Sequence, residues 1–408
     1  MATVLCFEGF ELEPAARELS GPSGRVHVEQ QVFDVLCVLL DRRDRVVTKH
    51  ELLDEVWGSR FVSESALTSR IKSARQAVGD DGDRQAVIRT VRGVGYRFVA
   101  PVEVVERNGT AKSSGSSPLG LDLTIRFIDV RGGRSIAVAE TGSGHHLVKA
   151  ATWLTQVDKD TDDSPIWGHW VRAFSHRYRY VRYDPRGCGL SDRDLAGVDL
   201  RDLDLWVDDL GRVIDSLGDE PVALLGISQG GPVAVAYAAC HPERVSHLVL
   251  YGTYARGKSR RGDPGQVDEA RLLIDLARVG WGTKDNTYRE IFARQFVPDA
   301  QSDEIEWFNA QLEMTTNSAN AALLEGAFHD IDVTELARQV RVPTLVLHAT
   351  GDRGVPFEEG RRLAGMIPEA RFVPLDSRNH ILLQRDAAFP KFIDEIERFI
   401  GGATARSG

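Results

Sequence analysis

The sequence predicts two domains of different class: a small α+β domain, then a larger α/β domain with a mostly parallel sheet, flanking helices and a helical insertion. Three observations carry this. The composition shifts once, at Glu106 to Gly120 (ERNGTAKSSGSSPLG), a Ser/Gly-rich run with almost no apolar residue, as in a flexible linker. Before it, three helical patterns lead into a glycine-tipped hairpin. After it, strand-like and helix-like runs alternate. The expected divisions are residues 1–105, a linker at 106–122, and 123–408, with a helical lid at about 255–333.

The bulk properties exclude several classes. The chain has 408 residues, 42% apolar and 27% charged, which is ordinary for a globular protein. A net charge of -10 argues against indiscriminate nucleic-acid binding, so any DNA contact needs a local basic patch. Cys6, Cys37, Cys188 and Cys240 are widely spaced, with no zinc-type cluster, and read as reduced thiols. No apolar run reaches the roughly 18 residues of a membrane helix, and the N-terminus lacks a signal-peptide pattern. A cytoplasmic protein without membrane partners is the expectation.

In the first domain, TVLCF and RVHVE alternate like short antiparallel strands. QQVFDVLCVLLDRRD places Val32, Phe33, Leu36, Leu39 and Leu40 at helical spacing. TKHELLDEVW opens with Thr48 as N-cap and Glu51 at the capping-box position. SESALTSRIKSARQAVG takes Ser63 as cap, buries Leu67, Ile71, Ala74 and Val78, and stops at Gly79. VIRTVRGVGYRFV makes the hairpin around Gly93 and Gly95, completing the element order of a winged helix.

The third helix then offers Thr68, Ser69, Lys72, Ser73 and Arg75 on its polar face, cations and hydroxyls suited to a major groove. From Arg60 to Ala100 eight basic residues face four acidic ones. With the helices before it, TVRGVGYRF resembles the OmpR/PhoB type of winged-helix output domain over residues 3–100. That resemblance implies double-stranded DNA as partner. Arg92 would enter the minor groove, Thr90 would touch phosphate, and Lys72, Ser73 and Arg75 would meet the major groove and backbone. Trp57 would lie in the loop between the second and third helices, where some members contact RNA polymerase. Ser73 stands where many members carry a base-reading arginine, and a receiver domain ahead of the module is not expected.

In the second domain, LTIRFID, RSIAVAE, HLVKAA, RYVRYD, VALLGI, HLVLYG, TLVLHA and RFVPLD are candidate strands. VALLGISQGG ends a buried run in G-x-S-x-G, which exposes Ser228 on a tight strand-to-helix turn. Asp352 follows the strand at 344–347 and His380 the last strand, giving the order Ser, Asp, His. His380 would act as general base and Asp352 would fix its tautomer. Residues 123–402, including YDPRGCGLSD and PERVSHLVLYG, resemble the α/β-hydrolase superfamily. With serine as nucleophile, that resemblance implies ester, lactone, thioester or C–C hydrolysis without cofactor or metal.

The site departs from the family pattern in two places. Ala151-Thr152 replaces the usual His-Gly, leaving the Trp153 N–H beside the Gln229 N–H as oxyanion donors. Asn379 precedes His380 where glycine is commoner. In the lid, Trp281, Phe292, Phe296, Trp307 and Phe328, with Trp153, are candidate walls of an apolar ligand pocket. The favoured reading is a one-component regulator that senses a small acyl or ester-type ligand and turns it over slowly. A competent serine hydrolase with an appended DNA-binding module is the alternative, and a protein-contact module a third. RNA polymerase and a second copy of the chain complete the candidate partners.

Overall fold

The computed structural model describes residues 2–402 apart from 15–17, 23, 27, 58–63, 92, 108–120, 154 and 282–286. The chain divides into two compact units, Met1–Thr110 and Ala111–Gly408.

In the first unit β1 (Ala2–Phe7), β2 (Phe10–Glu13), β3 (Glu18–Gly21) and β4 (Gly24–Arg25) precede α1 (Gln30–Asp41). β5 (Val47–Thr48), α2 (Lys49–Trp57), α3 (Glu64–Ala77), β6 (Ile88–Val91), β7 (Gly95–Phe98) and β8 (Glu103–Arg107) follow. One antiparallel sheet runs β4-β3-β2-β1-β8 and a second β5-β7-β6. Among the described residues of RVHVE only Arg25 lies in a strand, because pairing with β3 ends at Ser20↔Arg25. β8 continues through Arg107 on β1, so the strand occupies the first two positions assigned to the linker. α2 begins as read: Glu51 accepts from the Thr48 N–H and hydroxyl at 2.8 Å each, while the Glu51 N–H donates to Thr48 Oγ at 3.2 Å. These bonds, after that from Arg45, hold the Glu51 carboxyl down at about 2. Leu67, Ile71, Ala74 and Val78 are buried against α1, and Gly79 (φ +66°) ends the helical run. Ser63, expected to cap α3, lies outside the described residues.

In the second unit the elements are β9 (Thr124–Val130), β10 (Arg134–Thr141), β11 (His146–Lys149), α4 (Gly168–Arg177), β12 (Arg179–Tyr183), α5 (Leu203–Asp215), β13 (Val222–Ile227), α6 (Gly230–Cys240) and β14 (Val245–Tyr251). The insertion follows: α7 (Pro264–Gly280), α8 (Thr287–Phe296), α9 (Ser302–Thr315) and α10 (Ser318–Asp330). The chain closes with α11 (Thr334–Ala337), β15 (Thr344–Ala349), α12 (Phe357–Met366), β16 (Arg371–Leu375) and α13 (Ala388–Gly401). One sheet runs β16-β15-β14-β13-β11-β12-β10-β9, parallel except where β10 meets β12 and β9. β13 and β15 are buried at every residue because helices cover both faces. Their carboxyl ends therefore carry the site. Among the described residues no helix is long and apolar enough to cross a membrane.

Candidate functional site

Ser228 sits on the turn between β13 and α6 with φ +50°, a left-handed conformation that costs a non-glycine residue about 1–3 kcal/mol. The surroundings hold it there. Its N–H donates to the Tyr251 carbonyl at 3.1 Å, and its own carbonyl accepts from Thr253 Oγ at 2.6 Å. The turn needs glycine at 226, where a Cβ would come within 2.8 Å of Gly231 Cα.

Asp352, just past β15, accepts from His380 Nδ1 at 2.7 Å through Oδ2. Its Oδ1 takes the N–H groups of Gly354 and Val355 at 2.8 and 2.9 Å. Burial would raise this carboxyl, but His380 and His348 outweigh it and hold it down at about 2. The tautomer is thereby fixed with the proton on Nδ1, which leaves Nε2 free to accept a proton. Nε2 is buried and has no hydrogen-bond partner among the described residues. Asn379 explains itself here: its amide donates to both Asp386 oxygens at 3.2 and 3.0 Å, and its carbonyl oxygen accepts from the Asp299 N–H at 3.1 Å. The N–H groups of His380 and Ile381 both donate to the Phe296 carbonyl, at 2.8 and 3.1 Å. The His380 ring is thus mounted on the insertion.

Trp153 and Gln229 meet beside Ser228. The Trp153 backbone N–H and indole N–H both face one end of the Gln229 carboxamide, so that end is the oxygen, at 3.0 and 3.2 Å. The NH2 end then donates to Ser228 Oγ at 2.9 Å. All three residues are buried. Above them Trp153 stacks on Trp281 at 5.0 Å and meets Phe292 edge-on at 5.6 Å. Phe292 contacts Phe296 at 5.2 Å, and Phe296 reaches the His380 ring at 5.3 Å. Of the six residues expected to wall a pocket, these four come together. Phe328 instead packs on Trp206 at 5.6 Å, and Trp307 lies half-buried against the core.

On α3, Thr68, Ser69 and Lys72 are exposed and Ser73 is half-buried. Arg75 corrects the sequence reading, because it is only 8% exposed. Its guanidinium donates to the Ile88 carbonyl at 2.9 and 2.7 Å and to Thr90 Oγ at 2.8 Å, tying α3 to β6. The reason is positional: residue 75 lies four after Ile71 and three before Val78, on the buried stripe. Thr90 is half-buried under that bond. Arg92 lies outside the described residues. Trp57 is the last residue of α2, not a loop residue.

Residues 161–386 match the family model described as alpha/beta hydrolase fold. The chain belongs to the α/β-hydrolase-fold family. Residues 23–98 match a second model, "Transcriptional regulatory protein, C terminal". The hydrolase domain is 31% identical over 209 residues to the AB hydrolase superfamily protein YisY of Bacillus subtilis, covering 50% of this chain and 75% of that one. It is 30% identical to a 2-hydroxy-6-oxononadienedioate/2-hydroxy-6-oxononatrienedioate hydrolase of Paraburkholderia phymatum, covering 62% and 83%. The esterase RhEst1 of a Rhodococcus species superposes with TM-score 0.56 at 25% identity, covering 68% and 98%. The N-terminal module is 38% identical over 81 residues to the transcriptional regulator HilA of Salmonella typhi, covering 20% of this chain and 14% of that protein. The chain therefore fuses a DNA-binding regulatory module to an α/β-hydrolase domain.

Behind the Trp153 loop this hydrolase domain carries a buried charge network that the sequence did not signal. Lys149, at the end of β11, donates to Thr152 Oγ at 2.9 Å, and Thr155 Oγ donates to the Thr152 carbonyl at 2.7 Å. Burial lowers the Lys149 ammonium and raises the Asp160 carboxyl that faces it. The Gln311 amide of α9 donates to Asp160, and Asp160 Oδ2 accepts from the Gln156 N–H at 3.2 Å. Thr152, read as a departure, is thus the residue Lys149 holds. Among the described residues no three metal-ligating side chains converge.

Proposed function

We propose that the chain is a one-component transcription regulator. The winged-helix module binds double-stranded DNA in the cytoplasm, and the hydrolase domain holds a small acyl or ester-type ligand at Ser228. The observation that carries this reading is the fusion in one chain of a DNA-binding module with a buried Ser228, Asp352, His380 constellation under an aromatic lid. Ser228 is the nucleophile, His380 its base, and Asp352 the orienting acid. The Trp153 and Gln229 N–H groups receive the ligand's carbonyl oxygen, and Trp153, Trp281, Phe292 and Phe296 contact its apolar body. Thr68, Ser69, Lys72 and Ser73 face DNA, with Arg92 in the minor groove and Thr90 near phosphate; RNA polymerase and a second copy of the chain are further partners. The ligand alters DNA affinity to the extent that it binds one of two states better.

The 2.7 Å His380–Asp352 bond supports a second reading, a competent hydrolase whose DNA module serves recruitment or autoregulation. One paired measurement separates them: turnover of short acyl esters, and ester-dependent binding to DNA upstream of the chain's own gene, for wild type and Ser228→Ala. Ester-dependent DNA binding that persists in Ser228→Ala supports the sensor. Turnover with no ligand effect on DNA overturns it.

A further inference from the structure

The Gln229 carboxamide sits between the two Trp153 N–H donors and Ser228 Oγ. Its oxygen lies 3.0 Å from the Trp153 backbone N–H and 3.2 Å from the Trp153 indole N–H, the spacing of an oxyanion hole around its anion. Its NH2 lies 2.9 Å from Ser228 Oγ, where the scissile centre of a bound ligand would begin. Meanwhile His380 Nε2 is without a hydrogen-bond partner among the described residues, so the serine is engaged by glutamine and not by its base.

Resting on the assignment of Ser228 as the ligand site, we propose that the Gln229 side chain is an internal carbonyl surrogate that sets what the site accepts. At rest it fills the oxyanion hole and holds the nucleophile away from His380. A ligand enters by displacing it. Gln229, Trp153 and Ser228 are 7%, 3% and 9% exposed, so water does not readily take over the vacated bonds. The displacing molecule must therefore bring its own acceptor for both Trp153 donors, since a buried N–H left unpaired is costly. This selects carbonyl or phosphoryl compounds with an apolar body (esters, lactones, amides) and rejects hydrocarbons of the same shape, which bring no acceptor. Displacement also frees Ser228 Oγ to bond His380, so the ligand that fits is the one that arms the nucleophile.

The test uses the full-length chain and a short-chain alkyl fluorophosphonate, whose P=O oxygen enters the hole. Ser228 Oγ attacks phosphorus, the P–O bond forms, the P–F bond breaks, and fluoride leaves while His380 takes the serine proton. Adduct formation is followed by intact mass for wild type, Gln229→Met and Gln229→Ala, with circular dichroism to verify folding. Gln229→Met keeps the bulk and loses all three hydrogen bonds to Trp153 and Ser228, while the backbone N–H of residue 229 remains in both variants. The expected result is adduct formation about tenfold faster or more in the folded variants than in wild type, as a net loss equivalent to about 1–2 ordinary hydrogen bonds implies. Labelling of wild type with equal or slower labelling of the variants overturns the gate and leaves Ser228 as the ligand site. Absence of labelling in all three folded proteins overturns the gate and the nucleophile assignment together.

Discussion

Arg75→Met isolates what the buried Arg75 guanidinium does for the first domain. The substitution keeps the apolar stem and removes three hydrogen bonds: two to the Ile88 carbonyl at 2.9 and 2.7 Å and one to Thr90 Oγ at 2.8 Å. Bonds from a charged donor contribute about 1.5–3 kcal/mol each, but two share one acceptor, so the expected loss is about 3 kcal/mol. Native-state hydrogen exchange on the full-length chain reads this as a roughly hundredfold acceleration in β6 and α3 amides. DNA binding measured across several salt concentrations should keep its slope, because a guanidinium tied to Ile88 neutralises no phosphate. Lys72→Ala should do the reverse, with exchange unchanged and the slope reduced by about 1. If Arg75→Met lowers the salt slope and leaves exchange alone, Arg75 is a phosphate contact and its structural role is refuted.

Asp352→Asn removes the acceptor that fixes the His380 tautomer and should slow phosphonate labelling of Ser228 by about 10³–10⁴; a change under tenfold would show that the pair does not orient the base. Arg186, on the loop after β12, makes a buried bidentate pair with Asp209 at 2.6 and 2.7 Å. Arg186→Leu strands that carboxylate and should cost about 3–5 kcal/mol in urea unfolding, most of it recovered by adding Asp209→Leu. A double variant no better than the single one would count against the pair. Burial depresses His169 to about 4, against the opposing bond to the Leu382 carbonyl. A folded pKa below the unfolded one means protons favour unfolding, so stability falls as pH drops from about 6.5 toward 4, by roughly 2 kcal/mol at pH 5. His169→Gln should flatten the urea midpoint between pH 7 and 5; an equal slope in the variant would place the titration elsewhere.

The eight strands of the large sheet were legible because each is a short β-rich run bounded by turns, and α3 because Leu67, Ile71, Ala74 and Val78 repeat at helical spacing. Periodicity also held the answer on Arg75, but charge type was given more weight than position. A long arginine on the edge of a buried stripe satisfies itself on a neighbouring carbonyl, as here at Ile88. The pairing of Asp352 with His380 was legible from their strand-end placement, and the Ser228 turn from G-x-S-x-G. The Gln229 carboxamide was not, because its orientation is set by two donors on Trp153, 76 residues earlier in the chain. The charge network at Lys149 was illegible because Asp160, which faces it, lies on the loop after β11 and is held in turn by Gln311 of α9. Glu106 and Arg107, the last two residues of β8, were assigned to the linker because their register on β1 is a long-range fact.

The Phe296 carbonyl accepts from both His380 and Ile381. The insertion and the base therefore share one backbone joint, and α8 cannot swing outward without carrying the imidazole or breaking two bonds. Exchanging this insertion for another would also reset the His380 ring, so the aromatic cluster and the placement of that imidazole are inherited as a single trait.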